Sequence, residues 1–190
     1  MSNIYSYQCI GCISGSSLDG LDIADIQLDI DPSASNPIAR WSILNTITIP
    51  FPKTIVDDLA ALPNQSALDL VRMDDRLGSF FGDCIQEFIV DKKIDFISSH
   101  GHTIFHHPGA SSTQIGNPAL IAARTGIRTI GHLRNMDTAY GGEGAPLAPM
   151  ADLYLWPEHD ICINIGGIAN ISIKSPEGII GFDVCGANQL

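Results

Sequence analysis

Basic residues are scarce in this chain: ten Lys and Arg stand against 21 Asp and Glu, a formal charge of −11 over 190 residues. A surface that tracks nucleic-acid phosphates needs clustered cations, so nucleic acid is not an expected partner. The same shortage bears on nucleotides, which could be held only by backbone amides, a divalent cation and a few placed side chains. Long apolar runs are missing too. None approaches the roughly 20 residues that cross a bilayer, and no membrane partner is expected. The N-terminus, MSNIYSYQCIGC, lacks the basic stretch and apolar core of a secretory leader. The five cysteines, at 9, 12, 84, 162 and 185, form an odd and scattered set. That pattern points to reduced thiols in a cytoplasmic protein and away from a disulfide framework.

Core material, by contrast, is ample, with 45% apolar and 16% charged residues, a globular composition. The first fifty residues read as strands. Ile4 to Ile13 leads into the loop Ser14-Gly15-Ser16-Ser17. Leu21 to Ile30 alternates apolar and polar with one slip that suggests a bulge, and Trp41 to Ile49 is bounded by prolines. Short connections between the three suggest an antiparallel meander. Helical periodicity then takes over, in a short helix from Lys53 to Leu62 and a long one from Ser66 to Val90. Ile94 to Ser98 is a short strand running into His100. Pro118 to Thr125 is a helix with Pro in its first turn and Gly126 past its end, and Arg128 to Gly131 is another short strand. Tyr140 to Pro149, rich in Gly and Pro, reads as irregular. From Ile161 the opening pattern restarts: strand, Gly166-Gly167 loop, strand, strand. This repeat points to duplicated units, with a first domain over 1–160 and, over 161–190, the first strands of an incomplete second one. Three uncovered strands should be marginal, and their exposed edge invites association, with a homodimer one expected form.

Five loops could carry chemistry. In Gly11 to Asp22 a Gly-Ser turn between strands exposes amides and hydroxyls that suit phosphate oxygens, with Asp19 and Asp22 near enough to hold Mg²⁺. An ordinary hairpin turn uses the same residues. No Gly-Lys-Ser/Thr follows, so it is not a Walker A loop. In Ser98 to Pro108 four histidines fall within eight residues. On an extended segment His100, His102 and His106 would share a face that could seat a metal, but a polar pocket beyond the strand end fits the spacing better. Asn117-Pro118 can be pure helix capping or can aim free amides at a ligand. Arg134 could reach a hydroxylated or anionic ligand, or could pair with Asp137 at the surface. In the last loop, Asn164 to Asn170 forms a second Gly-polar hairpin, and Asp183 beyond it is placed like a general base. Two such hairpins in duplicated units, closed by an aspartate, make nucleotide-dependent phosphoryl transfer the leading reading. A metal-dependent hydrolase built on the histidines is a weaker one.

The motifs carry a resemblance. GCISGSSLDGLD, SHGHTIFHHP, QIGNPALIA, LRNMDTAYGGEGAPLAP, NIGGIANIS and GFDVCGAN resemble, in order, six motifs of the anhydro-N-acetylmuramic acid kinases and span nearly the whole chain. The resemblance implies an α/β fold: a ribonuclease H-like, actin/hexokinase-type domain with a mixed sheet (antiparallel meander plus parallel strands) and flanking helices. It implies ATP and Mg²⁺ as cofactors and an amino sugar as substrate, 1,6-anhydro-N-acetylmuramic acid, phosphorylated at O6 as its anhydro ring is opened by water during cell-wall recycling. By position, Asp183 would activate that water. Ser14, Gly15, Ser16, Ser17 and Asp19 would line the ATP phosphates, with Gly166 and Gly167 in the phosphate clamp and Asp19 on Mg²⁺. His100, Gly101, His102, Thr103, Gln114, Arg134 and Asp137 would face the sugar. Departures fall at His132-Leu133-Arg134, where the family has D-F-R, and after Asp183, where Val-Cys-Gly-Ala-Asn replaces Thr-Gly-Pro-Gly-Asn. His102 and Glu143 each replace a Gln. The alternative is a non-catalytic nucleotide- or sugar-binding module of the same fold, and the isolated chain is expected to be inactive in either case.

Overall fold

The computed structural model describes residues 3–15 and 17–187. Three antiparallel strands open the chain: β1 (Tyr5–Ser14), β2 (Gly20–Ile30) and β3 (Ile38–Pro50). Helix α1 (Lys53–Ala61) runs into a 3-10 turn over Leu62–Asn64, so Pro63 tightens the helix end rather than abolishing it. The long helix α2 (Ala67–Phe88) follows. Ser66 opens it with a capping box: its Oγ accepts from the Asp69 amide, and the Asp69 carboxylate accepts from the Ser66 amide. Next come β4 (Phe96–His107), β5 (Ser111–Ile115), α3 (Pro118–Thr125), β6 (Thr129–Ile130), α4 (Leu133–Ala139) and α5 (Ala148–Leu155). β4 and β6 run parallel to the meander's first strand, giving a six-stranded mixed sheet in the order β3-β2-β1-β4, with β5 and β6 both pairing with β4. This is the α/β arrangement of the actin- and hexokinase-type ATPases, as expected. The chain closes on a second antiparallel meander, β7 (Ile161–Ile165), β8 (Ile168–Ser175) and β9 (Gly178–Gly186).

One face of the large sheet holds the core. Ile10, Cys12, Leu21, Ile23 and Ile97 meet Leu77, Phe81 and Ile85 of α2 and Ile121 of α3, all nearly or fully buried. α2 and α3 approach so closely that a Cβ on Gly78 would lie 2.6 Å from the Asn117 carbonyl, and one on Gly82 2.7 Å from Arg124 Cβ. The slip read in β2 has a different origin from the one expected. Asp25 pairs with Asn45 but Ile26 with Ile43, so the additional residue, Leu44, lies in β3. Asp25 itself occupies a core-facing position, 2% exposed. There Lys92 Nζ pairs with its charge at 2.9 Å and Gln8 Nε2 donates to it at 2.9 Å.

The Gly- and Pro-rich stretch is irregular over 140–147, as expected, and two short helices flank it, α4 in the loop motif around Arg134 and α5 beginning at Ala148. The latter joins the two sheets. At its C-terminal end, the Tyr154 and Leu155 carbonyls accept from Asn36 Nδ2 and Trp41 Nε1 beside β3, and Trp156 stacks edge-on against Trp41. From its middle, buried Asp152 accepts from Ser172 Oγ of β8 at 2.6 Å. The second sheet is therefore anchored on one face. Its other face leaves Ile161, Ile163, Ile165 and Ile180 each more than half exposed. No helix among the described residues is long and apolar enough to cross a membrane.

Candidate active site

A cavity of about 460 Å³ opens where the two meanders face each other. Ser14 and Gly15, at the first hairpin, form one wall. Gly166 and Gly167, at the second hairpin, line another part, with Asp183 from β9. The register explains the placing of Asp183. Asn164 pairs with Asn170 across β7 and β8, and Asn170 pairs with Asp183 across β8 and β9, so the three line up as one polar row on the cavity side. Of these, Asp183, Gly166 and Gly167 were expected from the sequence and the two asparagines were not. Their signal was available in the alternation of Ile and Asn in β7, which puts Asn164 on the face opposite Ile163 and Ile165. Within the second hairpin, Gly166 donates its amide to the Ile168 carbonyl and the Gly167 carbonyl accepts from Ala187.

The third wall carries Arg134, His100, Thr103 and His106. Arg134 is held rigidly: its Nε–H donates to His100 Nε2 at 2.9 Å and its Nη1 to the Gly144 carbonyl at 2.9 Å. Since the guanidinium has only donors, His100 Nε2 must be the bare nitrogen, and Nδ1–H then donates to the Gly101 carbonyl at 3.1 Å. The geometry thus demands a neutral His100. Burial, reinforced by the charge of Arg134, lowers the pKa of His100 below the ordinary imidazole value. Burial also pulls Arg134 below its usual range while the Asp183 carboxylate pulls it back, and a guanidinium remains charged at any ordinary pH.

Other residues expected to touch the sugar stand behind this wall. His102, 5% exposed, shares a hydrogen bond with Ser14 Oγ at 3.0 Å from Nδ1 and holds that hydroxyl from behind the cavity. Gln114 is buried and bonded to Ser112 and Thr103. Gly101 adopts φ +74, where a Cβ would press 2.6 Å from the Ile115 carbonyl, and it breaks the alternation of β4. Asp137 accepts from the Gly144 amide at 2.7 Å, pinning the loop whose carbonyl holds Arg134. Arg134 and Asp137 do not form an ion pair. Ser17 and Asp19 are exposed on the first hairpin, with Ser17 Oγ donating to Asp19 Oδ1 at 2.8 Å. Ser16 lies outside the described residues. His106, read as a solvated loop histidine or part of a shared metal face, is a cavity residue with its own partner, Ser112. His100, His102 and His106 each engage a different partner, and among the described residues no cluster of three metal-ligating side chains occurs.

A larger cavity of about 620 Å³ lies on the uncovered face of the large sheet, against Gly11, Ala24, Thr46 and Thr48. Its walls are mostly backbone and aliphatic, and Asp22 there is already engaged by Thr48 Oγ1 at 2.5 Å. The smaller one gathers the charged and amide-bearing groups, and it is the candidate active site.

Comparison with known proteins gives the family. The family model for anhydro-N-acetylmuramic acid kinase matches residues 7–190. A protein of that name from Pasteurella multocida (strain Pm70) is 36% identical over 196 residues, covering 95% of this chain and 50% of its own length. Another from Haemophilus influenzae is 32% identical, covering 100% of this chain and 51% of its own length, and one from Bacillus cereus (strain Q1) is 31% identical, covering 95% and 52%. The chain spans about half the length of the curated relatives it matches. With a match that runs through both hairpins, Arg134 and Asp183, the chain belongs to the anhydro-N-acetylmuramic acid kinase family.

Proposed function

We propose that this chain supplies the sugar-side wall and half the phosphate clamp of an ATP-dependent carbohydrate kinase acting on 1,6-anhydro-N-acetylmuramic acid in cell-wall recycling. The observation that carries the reading is the convergence of Ser14, Gly15, Gly166, Gly167, Arg134 and Asp183 on one cavity. In this reading Asp183 takes a proton from water as the water oxygen bonds to the anomeric carbon and the bridging C1–O6 bond breaks. O6 then displaces ADP from the γ-phosphorus, a transfer that rests on positioning and charge stabilisation. Arg134, locked by His100 and Gly144, stabilises negative charge on the sugar side, and the hairpin from Ser14 to Asp19 lies along the phosphates. A hard cation takes a few carboxylates and completes its shell with phosphate oxygens and water, and the exposed Asp19 carboxylate suits Mg²⁺ on those terms. The ion, when bound, offsets phosphate charge. Residues 161–190 we assign to the beginning of a second domain. The open isoleucine face of β7 to β9 supports that assignment, and a homodimer is a further way to cover it.

The test is ATP-dependent phosphorylation of the anhydro sugar by the full-length protein, with Asp183→Asn alongside. Turnover in the unsubstituted protein and its loss by at least about a hundredfold in the variant are expected, since general-base groups contribute ~10²–10⁴ in rate. Undiminished turnover in the variant would remove Asp183 from the mechanism. Binding of both ligands without turnover would favour a non-catalytic binding module, to which the altered residues Val184, Cys185, Gly186 and Ala187 behind Asp183 lend weight.

A further inference from the structure

Two strands share the outer edge of β4 and leave a break between them. β1 takes the opposite edge, pairing with β4 from Phe96 to Ser99. On the outer edge β6 pairs with Ile97 and Ser98, and the pairing with β5 begins at His102. Among the described residues no strand lies beside 99–101 there. A cavity of about 10 Å³ occupies the break, with Ser99, Gly101, Gln114, Gly116, Pro118 and Gly131 in its lining. That size excludes an organic ligand or a hydrated ion. It suits a single water, whose centre needs on the order of 10–15 Å³.

Two buried atoms on lining residues lack a partner. Ser99 is 2% exposed and Gln114 6%. Among the described residues neither Ser99 Oγ nor Gln114 Oε1 makes a hydrogen bond. Such groups are costly to leave unpaired, and in folded proteins they are satisfied by protein atoms or by ordered water. The neighbour of Ser99 is Cys12, whose thiol burial pushes up to about 11 against a downward pull from Ser99. A thiol is a weak partner, and the two do not reach hydrogen-bond geometry. For Gln114 the orientation of the amide makes no difference. With Nε2 toward Ser112 and Thr103, Oε1 is left over; turned about, Oε1 takes those hydroxyls and Nε2 is left over. Water donates as well as accepts, so it satisfies whichever atom remains.

We propose that this break binds one internal water molecule, which bridges Ser99 Oγ to the remaining amide atom of Gln114 and ties β4 to β5 where the strands do not pair. His100 lines both this cavity and the candidate active site, so the water also supports the segment of β4 that sets the His100–Arg134 contact. The site is independent of the kinase reading.

A high-resolution crystal structure of the full-length protein should show one ordered water about 2.7–3.2 Å from both groups. Ordered side chains with no density between them, or with a direct bond between the two groups, overturn the proposal. Urea unfolding gives a second readout. Removing an orphaned hydroxyl relieves a penalty, so Ser99→Ala would then raise the midpoint; removing a water-bonded one lowers it, and a lowered midpoint is expected. Ser99→Ala and Gln114→Leu should also be sub-additive, the double variant losing less than the two single variants together, because each already breaks the same bridge. The Gln114 bonds to Ser112 and Thr103, and any contact of Ser99 with Cys12, cancel in that cycle. A raised midpoint for Ser99→Ala, or strict additivity, overturns the bridge. The crystal structure and Ser99→Ala decide the matter even if Gln114→Leu does not fold.

Discussion

Acidification should loosen the candidate site from within, through His100. Its Nε2 lone pair receives the Arg134 Nε–H at 2.9 Å, and a protonated ring would replace that lone pair with a second cation beside the guanidinium. Burial first, and then the Arg134 charge, keep the His100 pKa below the usual value, against an opposing pull from the Gly101 carbonyl. His102, packed nearby, is lowered by its own burial and by His100. A histidine with a depressed native pKa contributes stability that is fully present above the unfolded value of about 6.5 and lost as pH falls through the native one. Within that window each such histidine makes the unfolded state one proton richer, worth up to about 1.4 kcal/mol per pH unit, and the two together up to about 2.7. Asp74 works in the opposite sense. Burial raises its pKa, so its contribution diminishes as pH rises. It cancels when two variants sharing it are subtracted. His100→Gln keeps an acceptor for Arg134 and cannot titrate. Urea unfolding of both proteins in steps from about pH 8 to pH 5 should show the dependence reduced by roughly half in the variant. Equal slopes would refute the neutral His100 that the Arg134 geometry requires.

Gly78→Ala should lower the urea midpoint with an unchanged slope. A methyl 2.6 Å from the Asn117 carbonyl forces α2 and α3 apart at about 1–3 kcal/mol, against roughly 0.5–1 kcal/mol gained in helix propensity. Alkylation followed by mass spectrometry should label exposed Cys185 first near pH 8. Cys9, Cys12 and Cys84 should react only on unfolding, because burial pushes their thiols up to about 11 and the thiolate is the reactive form. Early labelling of Cys12 would mean that the β1–α2 core opens readily.

Legibility in the sequence followed locality. Helix α3 was read with its observed bounds because Pro118 and Gly126 punctuate it with backbone chemistry of their own. Both meanders were legible from strand-length runs between turn residues. β4 was read as ending at Ser98 yet continues to His107, because the left-handed Gly101 and the polar histidines erase the alternation, while pairing with β5 restores the strand. α4 was read as part of a loop, and α5 gave no helical signal beyond the irregular stretch before it. At seven and eight residues they are below the length at which a helix holds in isolation, and contacts from Asp137 to Gly144, or from α5 to Trp41 and Ser172, hold them.

The site divides the same way. The candidate residue types and the order of their motifs were determined by the sequence alone, since a Gly-Ser hairpin, an Arg after a short strand and an Asp closing a strand are properties of adjoining residues. The roles within the wall were decided by tertiary structure. His102 bonds to Ser14, Gln114 to Ser112 and Asp137 to the Gly144 amide, while His106 lines the cavity. Those assignments depend on which side chains meet across β4 and β5 and on how α5 sets Asp183 against Arg134, 49 positions earlier in the chain. No local pattern encodes a meeting of that kind, because it comes from strand register and from the burial that packs one sheet against the helix serving the other.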